Sequence, residues 1–181
     1  NLEKYTIIEY TRSGCYPVMN LCNFKDGSQF YEDIFSIKDS TVILGGIYPQ
    51  DGIEDKYFSE TLNRIIDNRN NVIIIGHIPS PKFDEFMFYK KNGYYLRTNN
   101  LEHYLQEKTL NISLKNNINQ LDITSRDNLS YVDVFDVLCN SQGCNYFDQN
   151  EFLFIDGSHL SYLGAKNIVE KSTLLDLLSK G

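Results

Sequence analysis

The sequence predicts an α/β fold, a three-layer α/β/α sandwich with a parallel sheet, on three observations. Short apolar runs recur at residues 41–44 (Thr-Val-Ile-Leu), 72–75 (Val-Ile-Ile-Ile) and 152–155 (Phe-Leu-Phe-Ile). Segments with apolar residues three and four apart alternate with them, the signature of amphipathic helices. The runs end abruptly, two of them in Gly45-Gly46 and Gly76-His77. Strands without polar alternation are those buried on both faces, and helices must cover both.

In chain order, residues 5–10 (Tyr-Thr-Ile-Ile-Glu-Tyr) read as a strand of β-branched and aromatic residues, followed by a turn-rich stretch through Gly14, Pro17 and Asn20. Phe30, Ile34 and Ile37 form the apolar face of a helix over 28–38, and Phe58, Leu62, Ile65 and Ile66 that of a helix over 54–68. Aromatics between Phe83 and Tyr95 suggest a packed loop, followed by separate helices over 101–106 and 110–120. Residues 131–134 (Tyr-Val-Asp-Val) read as a further strand, and 161–178 as one final helix. Sites in such folds lie at the carboxyl ends of the strands, which places Gly45-Gly46, Gly76-His77 and Asp133 there.

Composition narrows the function classes. The chain has 181 residues, 41% of them hydrophobic and 23% charged, enough for one domain with a core of its own. Seventeen basic against 24 acidic residues give a net charge of −7. That balance opposes nucleic-acid binding, which needs a basic surface to displace phosphate counterions. No apolar run approaches the roughly 20 residues of a transmembrane helix, and no signal-peptide pattern opens the sequence. The first residue is Asn1. The expectation is a soluble domain over residues 1–181 that is a piece of a longer protein, with any signal or anchor outside it.

The four cysteines form two local pairs in sequence, Cys15 with Cys22 and Cys139 with Cys144. Three pairings are formally open, as are buried thiols and a metal site. Neither spacing is that of a zinc ribbon, and disulfides, the expected state, would place the domain outside the cytoplasm. The three histidines are far apart, so no catalytic metal and no cofactor is expected. His77 reads as a hydrogen-bonded structural residue after a strand, and His103 as an exposed helical one. Gly45 and Gly46 fit either a tight turn or a backbone approach to substrate. Tyr48 is packing or the wall of an acceptor groove, and Tyr94 and Tyr95 are packing or sugar-stacking residues. Asn111-Ile112-Ser113 and Asn128-Leu129-Ser130 match the glycosylation triplet, a pattern that arises by chance in an Asn-rich chain.

The segment richest in chemistry is Asp156-Gly157-Ser158-His159-Leu160-Ser161, followed by Gly164-Ala165. A carboxylate three residues before an imidazole can hold its tautomer, leaving the second ring nitrogen to take a proton from a nucleophile. Ser161 is placed to cap the helix that follows, and Gly164 and Ala165 are small enough for close packing. Alternatively, Asp156 only caps the turn.

This Asp-x-x-His-Leu-Ser-x-x-Gly-Ala element, preceded by Cys-x4-Cys, resembles the SGNH hydrolase-like domain at the carboxyl end of bacterial membrane acyltransferases that O-acetylate surface polysaccharides. Upstream, Ser13-Gly14-Cys15-Tyr16-Pro17 is similar to the family's Ser-x-Cys-Pro-Pro segment, and Cys22-Asn23 to its next cysteine. Residues 41–44 with Tyr48 resemble its Val-x-Leu-x-x-x-Trp element, residues 72–79 its next strand and proline, and Cys139 with Cys144 its paired cysteines. The resemblance implies an SGNH/flavodoxin-like sandwich with Asp156 and His159 as acid and base of a Ser-His-Asp triad. It also implies an oxyanion hole of backbone N–H groups and a polar side chain, with Gly45, Gly46 and Tyr48 as the oxyanion or substrate-binding candidates. The partners it implies are a cell-surface glycan acceptor and an acyl donor reached through an upstream integral-membrane acyltransferase domain. The implied location is periplasmic or otherwise extracytoplasmic, tethered at the inner membrane. The family's Gly-Asp-Ser block, which carries the nucleophile after the first strand, is not present in this sequence. That strand is central in flavodoxin-like order, so the expectation is that it lies before Asn1. The competing expectations are a nucleophile-free glycan-binding or scaffold module, and a carbohydrate esterase.

Overall fold

The computed structural model describes residues 27–46, 55–79, 101–141, 143–148, 151–156 and 159–180. The strand expected over residues 5–10, Cys15, Cys22, Tyr48, Tyr94 and Tyr95 lie outside the described residues. Helix α1 (Gly27–Phe35) leads into strand β1 (Thr41–Leu44), and α2 (Asp55–Ile66) into β2 (Asn71–Ile75). The long helix α3 (Leu101–Gln120) and a 3₁₀ turn (Arg126–Asn128) precede β3 (Leu129–Val132). The three strands form a parallel sheet in the order β1-β2-β3, with Leu44 beside Ile74 and Ile75 beside Val132. Among the described residues β1 is an edge strand, and its Ile43 is half exposed.

Alternation along β2 sends successive side chains to opposite faces, and each face has its own core. Val72 and Ile74, with Val42 and Leu44 of β1, pack under Tyr31 and Phe35 of α1, Phe58, Leu62 and Ile65 of α2, and Leu114 and Ile118 of α3. Ile73 and Val132 pack on the other face. Their partners there come from α4 (Val134–Leu138), α5 (Tyr162–Lys171) and α6 (Leu174–Lys180). This is the α/β architecture expected, with helices on both faces.

Among the described residues, four elements depart from their predicted form. The stretch over 101–120 is one helix, because Glu107-Lys108-Thr109 contains no breaker and the Thr109 hydroxyl donates to Leu105 O within the turn (2.7 Å). The strand expected over 131–134 stops at Val132, and Val134 opens α4 despite its β-branched side chain, buried in the core. The final helix breaks at Ser172-Thr173, where the Ser172 hydroxyl accepts from Leu174 N–H (3.2 Å) and offers the backbone an alternative to helix. Residues 152–155 do not form a fourth parallel strand. Their N–H groups are spent locally, Leu153 on Tyr146 O and Ile155 on His159 O (2.9 Å each), and a ladder position cannot be filled twice.

Two short hairpins complete the second face. Strands β4 (Cys139–Asn140) and β5 (Gly143–Cys144) pair so that Cys139 stands opposite Cys144, and the two form a disulfide with Cα atoms 3.9 Å apart. The local pairing expected from the sequence therefore holds for these two. Strands β6 (Phe147–Asp148) and β7 (Glu151–Phe152) bring the Phe147 and Phe152 rings within 3.9 Å.

Candidate active site

The Asp-x-x-His element occupies a loop clamped at its base. Leu153 and Phe154 are buried in the second core, and Phe154 bridges Leu160 across the loop. Ile155 N–H donates to His159 O (2.9 Å), and Ser161 N–H to Leu153 O (2.8 Å). Ser161 caps α5 as expected: its hydroxyl accepts from Gly164 N–H (3.1 Å) while donating to Phe152 O (2.7 Å). Gly164 is obligatory, since a Cβ there would lie 2.0 Å from Leu153 O, a backbone atom that cannot yield. Ala165, by contrast, is exposed.

Within this clamp both oxygens of Asp156 engage His159. Oδ1 accepts from the His159 backbone N–H, and Oδ2 lies against Nδ1, each at 2.8 Å. The first bond sets the loop and the second sets the ring. A proton held on Nδ1 by the carboxylate makes Nε2 the basic nitrogen, the one suited to accept a proton from a hydroxyl. The imidazole is 71% exposed and the carboxyl 45%, so the pair is open to a large substrate.

A parallel sheet carrying this clamped dyad matches what the Asp-x-x-His-Leu-Ser element implies. A family model described as SGNH domain (fused to AT3 domains) matches residues 2–171. The chain belongs to the SGNH family. No curated protein and no solved structure matches it significantly.

The SGNH domain has a second imidazole–carboxylate pair, arranged the opposite way. His77, just past β2, places Nε2 2.8 Å from Glu107 Oε2 of α3, with the side chains only 20% and 10% exposed. Here the outer ring nitrogen is the one bound, leaving the nitrogen beside the main chain, a poor position from which to reach a substrate. His77 is thus the hydrogen-bonded residue the sequence suggests. Around it, Tyr131 donates to Asn111 Oδ1 (3.0 Å), Asn111 donates to Asp133 Oδ1 (3.0 Å), and Lys115 pairs with Asp133 Oδ2 (3.1 Å). Burial, reinforced by Asp133, pushes the Tyr131 phenol far above its ordinary value, so it stays a donor. Sequence reading missed Glu107, Asn111 and Tyr131. Their signal was the four-residue spacing of Glu107, Asn111 and Lys115, which lines up one face of a continuous helix. Asn111 is buried, its amide committed to this network.

Gly45 follows β1 beside Ile75, and Gly76 donates its N–H to Val132 O (2.9 Å), so the carboxyl ends of the sheet are level. Gly46 has φ of 152°, a conformation that requires glycine. A Cβ on Gly45 would make only an ordinary contact with Ile75 at 3.6 Å, so packing does not demand glycine there. The structure brings Asp156 to His159 and Cys139 to Cys144, and it puts Gly45 and Gly46 at the end of β1. Among the described residues no group of three or more His, Cys, Asp or Glu is arranged to hold a metal. A groove of about 690 Å³ between α2 and the end of α3 is lined by charges of both signs, including Lys56, Glu60, Arg64 and Asp122, and includes no dyad residue.

Proposed function

We propose that this SGNH domain performs the acyl-transfer step of a membrane acyltransferase that O-acetylates a cell-surface polysaccharide outside the cytoplasm. The observation that carries the reading is the two-point bond between Asp156 and His159 on a clamped, exposed loop. Asp156 holds the ring; His159 Nε2 takes the proton of a serine hydroxyl as its oxygen attacks the acyl carbonyl of the donor. The donor's leaving group departs with that proton, and an acyl-serine remains. The acceptor hydroxyl then attacks, giving its proton to His159, which passes it to the departing serine oxygen as the glycan ester leaves. Backbone N–H groups near Gly45 and Gly46 are the proposed stabilisers of the oxyanion. The serine belongs, in this proposal, to a Gly-Asp-Ser block elsewhere in the parent protein, next to the AT3 acyltransferase domain that supplies the acyl group. The Cys139–Cys144 disulfide supports an oxidising compartment.

Absence of a Gly-Asp-Ser block from these 181 residues favours a second reading, a nucleophile-free module that positions glycan for a partner enzyme. The two separate in the parent protein assayed with p-nitrophenyl acetate. Acyl transfer predicts turnover that falls about 10⁴-fold in Asp156→Asn, the scale seen when a triad's acid is neutralised. No turnover by the unaltered parent protein would sink the acyl-transfer reading and leave the module.

A further inference from the structure

The Asp156–His159 pair is exposed, and an exposed ion pair on its own competes poorly with water. The precision of its two 2.8 Å contacts therefore depends on what carries the loop. The carrier is the pair of hairpins. In the first, β4 and β5 are closed by the Cys139–Cys144 disulfide, and Asn145 N–H extends the pairing by donating to Leu138 O (2.7 Å). In the second, β6 and β7 set Phe147 opposite Phe152, and Leu153 N–H extends that pairing by donating to Tyr146 O (2.9 Å). Asn145 and Tyr146 are adjacent, so no residue separates the last bond of one hairpin from the first of the next.

Tyr146 is where the hairpins reach the dyad. Its carbonyl holds Leu153, and its ring stands edge-on to Phe154, with centroids 5.6 Å apart and planes at 72°. Both residues are buried in the second core. Edge-to-face ring pairs have a preferred geometry beyond the area they bury, so this contact orients Phe154 as well as covering it. Phe154 precedes Asp156 by two residues and bridges Leu160, the residue after His159. A tilt of Phe154 is thus carried to both ends of the Asp156–His159 turn. Leu153 passes the same restraint onward, since its carbonyl accepts from the N–H of Ser161 (2.8 Å), the cap of α5.

We propose that Tyr146, fixed by the Cys139–Cys144 hairpin, is a positioning residue for His159. Acting through Phe154 and Leu153, it holds the loop at the spacing that lets Asp156 keep the proton on Nδ1 and leave Nε2 basic. The role rests on the acyl-transfer reading for its purpose, but the tautomer is measured without turnover, so the two stand or fall separately.

The test is the imidazole tautomer of His159, read from the ring-nitrogen NMR shifts of the isotope-labelled full chain at about pH 9, above the ordinary imidazole range. Amide signals of Val72 and Ile74, in the core on the other face of the sheet, report whether the fold is kept. The unaltered chain is expected to hold mainly the Nδ1–H form, and a chain without it would overturn the proposal at once. Tyr146→Ala, and separately Cys139→Ala combined with Cys144→Ala, are expected to bring that form below about half while the sheet signals persist. Tyr146→Phe, which retains the ring edge, is expected to match the unaltered chain. A residue needed only for packing would lower stability and leave the tautomer in place, so an unchanged Nδ1–H share in folded Tyr146→Ala overturns the proposal. If Tyr146→Ala loses the sheet signals, the double cysteine variant decides on the same criterion. In the parent protein, kcat for p-nitrophenyl acetate should fall about 10²-fold in Tyr146→Ala with KM little changed, the scale of a small misplacement of a reacting group. A parent protein without turnover sinks the acyl-transfer reading and leaves the tautomer to judge this one.

Discussion

Asp39 and Arg69 hold φ angles of 52° and 63°, a left-handed conformation that costs a non-glycine residue about 1–2 kcal/mol. They stand in the turns that enter β1 and β2, and their side chains meet as a fork, Arg69 Nε to Asp39 Oδ1 at 2.5 Å and Nη2 to Oδ2 at 2.6 Å. The Arg69 guanidinium lowers the Asp39 carboxyl below the ordinary carboxylate range, and Asp39 raises Arg69 in turn. A carboxyl depressed on folding contributes stability above its unfolded pKa of about 3.9, and that contribution is lost as pH falls through the folded value. Asp39→Asn is therefore expected to be less stable than the unaltered chain at pH 7, the gap closing toward pH 3. Urea midpoints at both pH values would show it, and a gap independent of pH would contradict it. The dyad was legible at this scale for a simple reason: Asp156 and His159 are three residues apart, and a local hydrogen bond needs no information about the rest of the chain. His77 and Glu107, thirty positions apart, offered no such clue.

The same two turns are joined by Asn70, which is fully buried. Its Oδ1 accepts from Ser40 N–H (3.0 Å), and its Nδ2 donates to Ile37 O (2.8 Å) and Ile65 O (2.9 Å). One side chain thus closes the end of α2 and the entry to β1 together, with every polar atom matched. Leaving those backbone groups unmatched should cost about 2–4 kcal/mol in Asn70→Ala. Asn70→Asp should be worse, because a carboxylate cannot donate to two carbonyls and would be buried against them. Urea unfolding would check both; an Asp variant as stable as the unaltered chain would refute the account. Elements were read well where apolar spacing alone decides them, as in α1, α2, β1 and β2. They were misread where a neighbour decides: the short apolar run at 152–155 looks like a buried strand, but its N–H groups were already taken by Tyr146 and His159.

At the scale of the described fold, the sheet seats helices on both faces, and the second face adds two small hairpins to its helices. The Cys139–Cys144 bond pins one of them at a sequence separation of 5, next to Leu138 and Tyr146 of the core. Closing so short a loop restricts the unfolded chain by about 2 kcal/mol in the entropic account. Replacing both cysteines with Ala is expected to lower the stability of the second face by that amount, read as a drop in the urea midpoint. An unchanged midpoint would show that the hairpin is held by packing alone. The expectation does not depend on function, since the bond lies in the hairpin that precedes the dyad loop.

Taken by itself, the sequence determined the fold class, the paired spacing of Cys139 and Cys144, and the pairing of Asp156 with His159. Each is written in short-range pattern: apolar periodicity, a gap of four residues, a gap of two. Only the tertiary structure decided that His77 pairs with Glu107, that α3 runs unbroken with Glu107 and Asn111 over the ends of β2 and β3, and that Gly164 must lack a side chain. Those facts depend on which backbone groups are already satisfied and on what lies across the sheet, and neither is a property of a neighbouring residue in the chain.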